Sequence, residues 1–515
     1  MKRTLLKTNI IKKTMLFIAA FLISPAFYAV TWHVGSSQTY TTISAVVNLV
    51  QNGDTIKIDG GVYLNDPVKW TKTDLVFIGM GTGINRTIMQ WNGGDISNGK
   101  GIWVFENPSL TGNITIDNIV FDGARVSDGD GGNGAGIRYQ AKDLTIRNCL
   151  FHSCQNGILE GGSYTGSVVT IQNTEFNNNG YEVTGGAYSG YEHNIYISSA
   201  TDSLLVKNCY FHDPRGEANS LKTRAQKSYI LYNVIDEANG QGSWELNIAQ
   251  GGLCVVIGNT IVQGAGSINH GIIGYDAATN PIEDFYFINN TVVNKYAGNF
   301  NVFNIVPSSG INKFKVYNNI FTTVSGGNLV NFISGSSLDA AIDTASNRIS
   351  ANYTTVGFVN AAAGDFHLTS SALSVIDHCV SAGTASNGFS LLPVYQFVSF
   401  GSPLASRLTT GSSNDIGAFE YGITTEINQI ISRGQFAACY PNPATNNFTI
   451  DLNPDIKLDN VQIVIYDMIG KEVKRVVITE TKTIININNE LKKGLYSYSI
   501  IVDNQKSVFG KLIVQ

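Results

Sequence analysis

One phrase recurs along most of the chain and limits what it can fold into. Ile114, Ile116, Asn118, Ile119 and Phe121 return as Leu144, Ile146, Asn148, Cys149 and Phe151. They return again as Val169, Ile171, Asn173, Thr174 and Phe176, and as Leu204, Val206, Asn208, Cys209 and Phe211. A looser form continues around Asn233, Asn259, Asn290 and Asn319. Each copy alternates apolar and polar residues, places an Asn, and resumes with apolar residues, which reads as strand, sharp turn, strand. The Asn positions are 30, 25, 35, 25, 26, 31 and 29 residues apart. A minimum near one value with variable excess is what a coil of fixed circumference with loops of different length produces. Stacked coils pair along the axis at a spacing of about 4.8 Å, so equivalent residues form ladders. Asn suits the turn because it tolerates left-handed backbone angles, and its amide can bond to the next Asn in the column. The expected fold is all-β, a solenoid of parallel strands.

Composition agrees with this and removes alternatives. With 515 residues the chain is far too long for a disulfide-stapled mini-protein. Only 14% of residues are charged while Gly contributes 53 and aromatics 10%, which fits neither disorder nor a helical bundle. A net charge of −5 argues against a nucleic-acid partner, which would need a basic face. At the N-terminus Lys2, Arg3, Lys7, Lys12 and Lys13 precede an apolar run over residues 15–27, the pattern of a secretory signal over residues 1–29. No later segment is apolar for long enough to span a bilayer. The six cysteines form no compact spacing pattern, and Cys149 and Cys209 occupy equivalent repeat positions, as small buried residues would.

Over residues 31–422 the repeat resembles the right-handed parallel β-helix of the pectate-lyase-like superfamily. The resemblance implies a short amphipathic helix over residues 40–50 capping the first coil, since an open end would expose paired strand edges. The solenoid is then expected over residues 30–423. Phe366, His367, Val375, His378, Ile416 and Glu420 fall in a segment that looks like the closing end of secreted β-helix proteins. After a linker at residues 424–436 the pattern changes. Alternating strands broken by Gly and Asn over residues 437–515 predict a small antiparallel β-sandwich. Cys439, Tyr440, Pro441, Asn442 and Pro443, then Gly470, Gly494, Tyr496 and Gly510, are similar to the type A sorting domain of the type IX secretion system. That family implies type IX secretion machinery as a partner, export across the outer membrane of a Bacteroidetes-type bacterium, and release or anchoring at the cell surface.

A further strand falls in each coil between successive Asn turns. Taking Ile195, Leu221 and Leu246 as inward, 26 and 25 residues apart, a period of two turns Asn194, Tyr196, Lys222, Arg224, Glu245 and Asn247 outward on one face. His193, Asn219 and Trp244 begin these strands, His212 lies in the connection into the Lys222 coil, His270 begins a later rung and Glu160 belongs to an earlier one. In a chain so poor in charge, this makes a polar groove suited to an acidic polysaccharide. A lyase cutting uronate polymers by β-elimination must neutralise the carboxylate, remove the C5 proton and release the bridging oxygen. Lys222 is the expected base and Arg224 the neutraliser or acid, with His193, Tyr196 and His212 as proton-relay or substrate contacts. Asn194, Asn219, Trp244, Asn247 and His270 would contact sugar, and Asn194 with Glu245 would hold Ca²⁺. The Lys/Arg pair is similar to the catalytic pair of the chondroitinase B and alginate lyase group, although here both residues share one strand and that group's full metal motif has no counterpart. Other readings stay open: a cross-rung salt-bridge ladder at Lys222, Arg224 and Glu245, a non-catalytic glycan-binding adhesin, or a glycoside hydrolase. A solenoid buries its core within one chain, so a monomer is expected.

Overall fold

The computed structural model describes residues 29–106, 112–161, 164–181, 190–237, 240–268, 271–277, 280–297, 301–307, 310–324, 331–334, 342–422, 437–452, 458, 461–467, 471–488, 490–502 and 506–515. The signal segment up to residue 28, the linker at 424–436 and His270 lie outside them. The chain forms a parallel β-helix whose coils feed three sheets of 12, 10 and 11 strands, followed by antiparallel sheets of three and four strands near the C-terminus. Two compact units are distinguished, one comprising Met1–Leu205, Phe211–Lys227 and Gly240–Asn247, the other Val206–Tyr210, Ser228–Asn239 and Ile248–Gln515.

In the first unit a representative coil contributes Ile114–Asp117 to the first sheet, Val120–Asp122 to the third and Ala135–Gln140 to the second. The next coil repeats this with Leu144–Arg147, Leu150–His152 and Asn156–Glu160, in register so that Ile146 pairs with Ile116, Phe151 with Phe121 and Ile158 with Ile137. The Asn turns work as the sequence predicts: Asn118, Asn148 and Asn173 all have positive φ, near 55°. Just inside them Phe121, Phe151, Phe176 and Phe211 form a fully buried stack with ring centroids 5.2, 5.1 and 4.8 Å apart. Each buried ring contributes about 2–3 kcal/mol of transfer free energy, and each contact adds about 1 kcal/mol.

The N-terminal cap differs from expectation. Ile43, Val46 and Val50 are buried as an amphipathic helix would bury them, but the segment is a succession of turns. Val46 N–H donates to Ile43 O and Leu49 N–H to Val46 O, while the Asp66 carboxylate takes the N–H groups of Ile43 and Ser44. Three β-branched valines disfavour a regular helix here, and the Asp66 anchor fixes a tighter path.

In the second unit the Asn column shifts by one residue. Asn289 and Asn318 keep the left-handed turn conformation, which Tyr232 and Gly258 adopt at the equivalent points of earlier coils. The residues that follow them, Asn233, Asn259, Asn290 and Asn319, turn inward. Their amides form a continuous ladder of bonds of 2.9, 2.9 and 3.1 Å, extended at 2.9 Å to Asn347. The six cysteines are thiols rather than disulfide halves, and Cys209 sits at the equivalent inward position, donating its N–H to Asn233. The closing segment packs as expected, with Phe366, Leu368, Val375, Ile416 and Phe419 buried. The turn residues Asn208, Asn289 and Asn318 donate their amides to its carbonyls at Ser402, Asp415 and Val380. Inside this segment Arg407 is fully buried against Glu420 and the carbonyls of Gly417 and Asp415. The C-terminal sheets pair Ala437–Tyr440, Asn447–Leu452 and Lys482–Asn486 in one layer, and Glu472–Ile478, Val461–Tyr466, Gly494–Val502 and Lys506–Val514 in the other. Phe448, Ile450, Ile463, Ile465, Ile485, Ile500 and Leu512 form their shared core, the expected small sandwich.

Candidate functional site

The second sheet carries the candidate site on its outer face, within the first unit. Register pairs Arg138 with Leu159, Leu159 with Tyr196, and Tyr196 with Lys222, so these four side chains form one column on successive strands. Arg224 follows two residues after Lys222, its N–H bonded to Ile197 O. Tyr196 lies between the cations, with Lys222 Nζ 5.7 Å and Arg224 Cζ 5.9 Å from its ring centroid. The Nε atoms of Arg138 and Arg224 are buried without a hydrogen-bond partner, and neither residue nor Lys222 joins an ion pair among the described residues. Burial, reinforced by the Arg224 charge, holds the Lys222 ammonium below the usual lysine value. Burial also opposes the charge of Arg138.

His193 forms the floor beneath Tyr196, the two rings stacked with centroids 5.6 Å apart. It is almost fully buried, and its pKa is pushed well below the usual histidine value by burial and by Lys222 and Arg224. Asn219 Oδ1 accepts the Trp244 N–H, so the Asn219 amide nitrogen faces His193 Nδ1 at 3.2 Å as donor. That assignment leaves the imidazole neutral with its proton on Nε2. Asn156 Oδ1 takes the His193 N–H, making Asn156, His193 and Asn219 a buried polar column beside the cations.

Several expected site residues are elsewhere. Asn194 does not face outward: it is fully buried, and its Oδ1 accepts from Asn179. Asn194 and Ile195 are both fully buried, so the inward–outward alternation fails at the start of this strand; a side chain added at Gly157, one coil earlier, would meet the Asn194 carbonyl oxygen and the core ring of Phe176. Glu245 continues that column, with Leu221 N–H bonded to its carbonyl, and is fully buried. Among the described residues no ion pair joins Glu245 to Lys222 or Arg224, and two buried side chains, Asn194 and Glu245, do not fit an outward Ca²⁺ site. Among the described residues no group of three His, Cys, Asp or Glu could hold a metal ion. Glu160 is buried at the end of its strand, accepting from Ser198 N–H and the Thr201 hydroxyl. His212 belongs to the third sheet, in strand Tyr210–His212, with Nε2 3.0 Å from Glu175 and Nδ1 2.8 Å from Asp213. Burial works against its charge, but those two carboxylates outweigh it and raise its pKa. Trp244 and Asn247 are half-buried, and counting on from Leu221 and Glu245 sets Asn247 beside Lys222.

The sequence reading missed Arg138 and Asn156. The signal was present in Ile137 followed by Arg138, which repeats the inward–outward order of Ile195 and Tyr196, but loops of unequal length hide the correspondence. In the second unit a separate cavity of about 360 Å³ is lined by Asp236, Asp365, His367, Phe397, Phe400 and Phe419, apart from this cluster.

Comparison with known proteins bears on one end of the chain. Residues 438–515 match the family described as secretion system C-terminal sorting domain. The tail is a type IX sorting domain. Its match covers the sandwich whose core was described above, and it marks the chain for export through the type IX system to the cell surface or beyond it. No curated protein matches the chain, and no helix among the described residues is long and apolar enough to cross a membrane.

Proposed function

We propose that this exported β-helix binds an acidic polysaccharide along the outer face of its second sheet and cleaves it by β-elimination. The observation that carries this reading is a group of three cations, Arg138, Lys222 and Arg224, around Tyr196 with no carboxylate paired to any of them among the described residues. Half-buried cations are costly without anions, and a uronate polymer supplies anions at regular intervals. Arg224 neutralises the uronate carboxylate, which makes the C5 proton acidic. Lys222, its ammonium destabilised by burial and by Arg224, supplies a neutral amine that takes that proton. The electron pair forms the C4–C5 double bond as the bond to the bridging oxygen breaks. The Tyr196 hydroxyl gives the leaving oxygen its proton and is reprotonated from Lys222. Arg138 holds a carboxylate further along the polymer, and neutral His193 keeps Tyr196 in place. A hydrolase would need two carboxyl groups across the scissile bond, and Glu160 and Glu245 are both buried away from this face.

The test is incubation with a panel of uronate polymers, following unsaturated product by ultraviolet absorbance and new reducing ends in parallel. Both signals should rise together and vanish in Lys222→Ala. Reducing ends without unsaturation would mean hydrolysis, and binding with neither product would mean a non-catalytic glycan-binding protein; either outcome refutes the lyase.

A further inference from the structure

On the third sheet, away from the cations, three side chains of the first unit meet in another arrangement. Strands Val120–Asp122 and Leu150–His152 pair with His152 opposite Asp122, and His152 Nδ1 lies 2.8 Å from Asp122 Oδ1. The other ring nitrogen, Nε2, lies 3.3 Å from the hydroxyl oxygen of Ser153. Asp122 is held in turn by Gln90, whose amide donates to Oδ2 at 2.8 Å. Burial alone would raise the Asp122 pKa, but the bonds from His152 and Gln90 outweigh it and keep the carboxylate ionised. Ser153 occupies the left-handed turn with φ of 53°, where the coil before carries Gly123 and the coil after carries Asn178. Ser is the least suited of the three to that conformation, and the turn lifts its hydroxyl to the surface beside a histidine that is 40% exposed. Asn178 Nδ2 donates to Ser153 Oγ at 3.0 Å, an amide positioned beside the nucleophile.

We propose that Asp122, His152 and Ser153 form a nucleophilic relay that cleaves esters of small carboxylic acids, such as acetyl groups on sugar hydroxyls. The roles follow from the contacts. Asp122 fixes the ring so that Nδ1 carries the proton and Nε2 accepts. Ser153 Oγ attacks the acyl carbonyl while His152 Nε2 takes its proton, and the Asn178 amide meets the oxyanion. The carbon–oxygen bond to the sugar breaks, the alcohol taking the proton from His152. Water then repeats the sequence, releasing the carboxylic acid and restoring Ser153, so one ester and one water yield one alcohol and one acid. The inference does not depend on the lyase reading.

The neighbouring coil provides substitutions that the fold already accepts. Asn177 pairs with His152, and Asn178 is the turn residue after Ser153, so His152→Asn and Ser153→Asn copy a conformation present one rung away. The full chain is treated with a fluorophosphonate, and its peptides are weighed by mass spectrometry. An adduct on Ser153 is expected, lost in Ser153→Asn and formed at least about a hundredfold more slowly in His152→Asn. Hydrolysis of p-nitrophenyl acetate should fall in parallel. Absence of an adduct on Ser153, or labelling undiminished in His152→Asn, would overturn the relay.

Discussion

Replacing Asn259 by Ala tests the internal ladder that holds the coils of the second unit together. Asn259 is fully buried, and its side chain serves several groups at once. Oδ1 accepts from Asn233 N–H at 2.8 Å and from the Asn233 amide at 2.9 Å. Nδ2 donates to Ile230 O and to Asn290 Oδ1, both at 2.9 Å. Truncation to Ala leaves the Asn233 N–H and the Ile230 carbonyl buried without these partners, and an unsatisfied buried group costs about 1–3 kcal/mol. With the lost volume added, the substitution should cost about 3–6 kcal/mol, a large part of the stability of an ordinary domain. Asn173 provides the contrast: it is exposed and in the turn, and its amide bonds to Asn148 Oδ1 at 3.4 Å where water can replace it, so Asn173→Ala costs chiefly the preference of Asn for left-handed backbone, at most about 1–2 kcal/mol. Urea unfolding followed by circular dichroism, with matched slopes, compares the two. If Asn259→Ala unfolds at the same urea concentration as Asn173→Ala, the buried amides do not hold the coils and the ladder argument is wrong.

Other consequences follow from the same contacts. Arg407→Met should destabilise the closing segment by about 3–5 kcal/mol, because it strands the buried Glu420 carboxylate, while Arg407→Met with Glu420→Leu should recover most of the loss; thermal unfolding of both variants checks this. His193 has a depressed pKa when folded and one near 6.5 when unfolded, so the unfolded chain binds more protons and stability falls as pH drops below about 6.5 toward the folded value. His193→Gln should flatten that part of the stability profile. Deleting residues 438–515 should retain the protein inside the outer membrane, detected by fractionation.

Much of the fold was legible because the solenoid repeats its requirements every coil. A Phe that must stack on the Phe of the next coil, as Phe121 does on Phe151, leaves a mark in sequence that no single strand would. The shift of the Asn column was not legible, since Asn118 in a left-handed turn and Asn259 in the interior are the same letter in the same phrase. The placement of the cation cluster was legible in part. Tyr196, Lys222 and Arg224 lie on one face as the period of two requires, but the period fails at the start of these strands, where consecutive residues are buried, and that failure hid Asn194 and Glu245 in the interior. His212 was misplaced because its connection is itself a strand of another sheet, where Glu175 and Asp213 hold it. No periodicity marks the contact between His152 and Ser153, which depends on one turn's backbone.

Titration calorimetry against one polymer in two forms asks whether the outer face of the second sheet is an anion-binding surface. The native chain should bind a polyuronate and lose that binding when the polymer's carboxylates are reduced to alcohols. The triple variant Arg138→Gln, Lys222→Gln and Arg224→Gln should bind neither form, each lost charge-assisted contact being worth about 1.5–3 kcal/mol. Equal binding of the reduced polymer, or undiminished binding by the triple variant, would show that these cations do not bind uronate carboxylates.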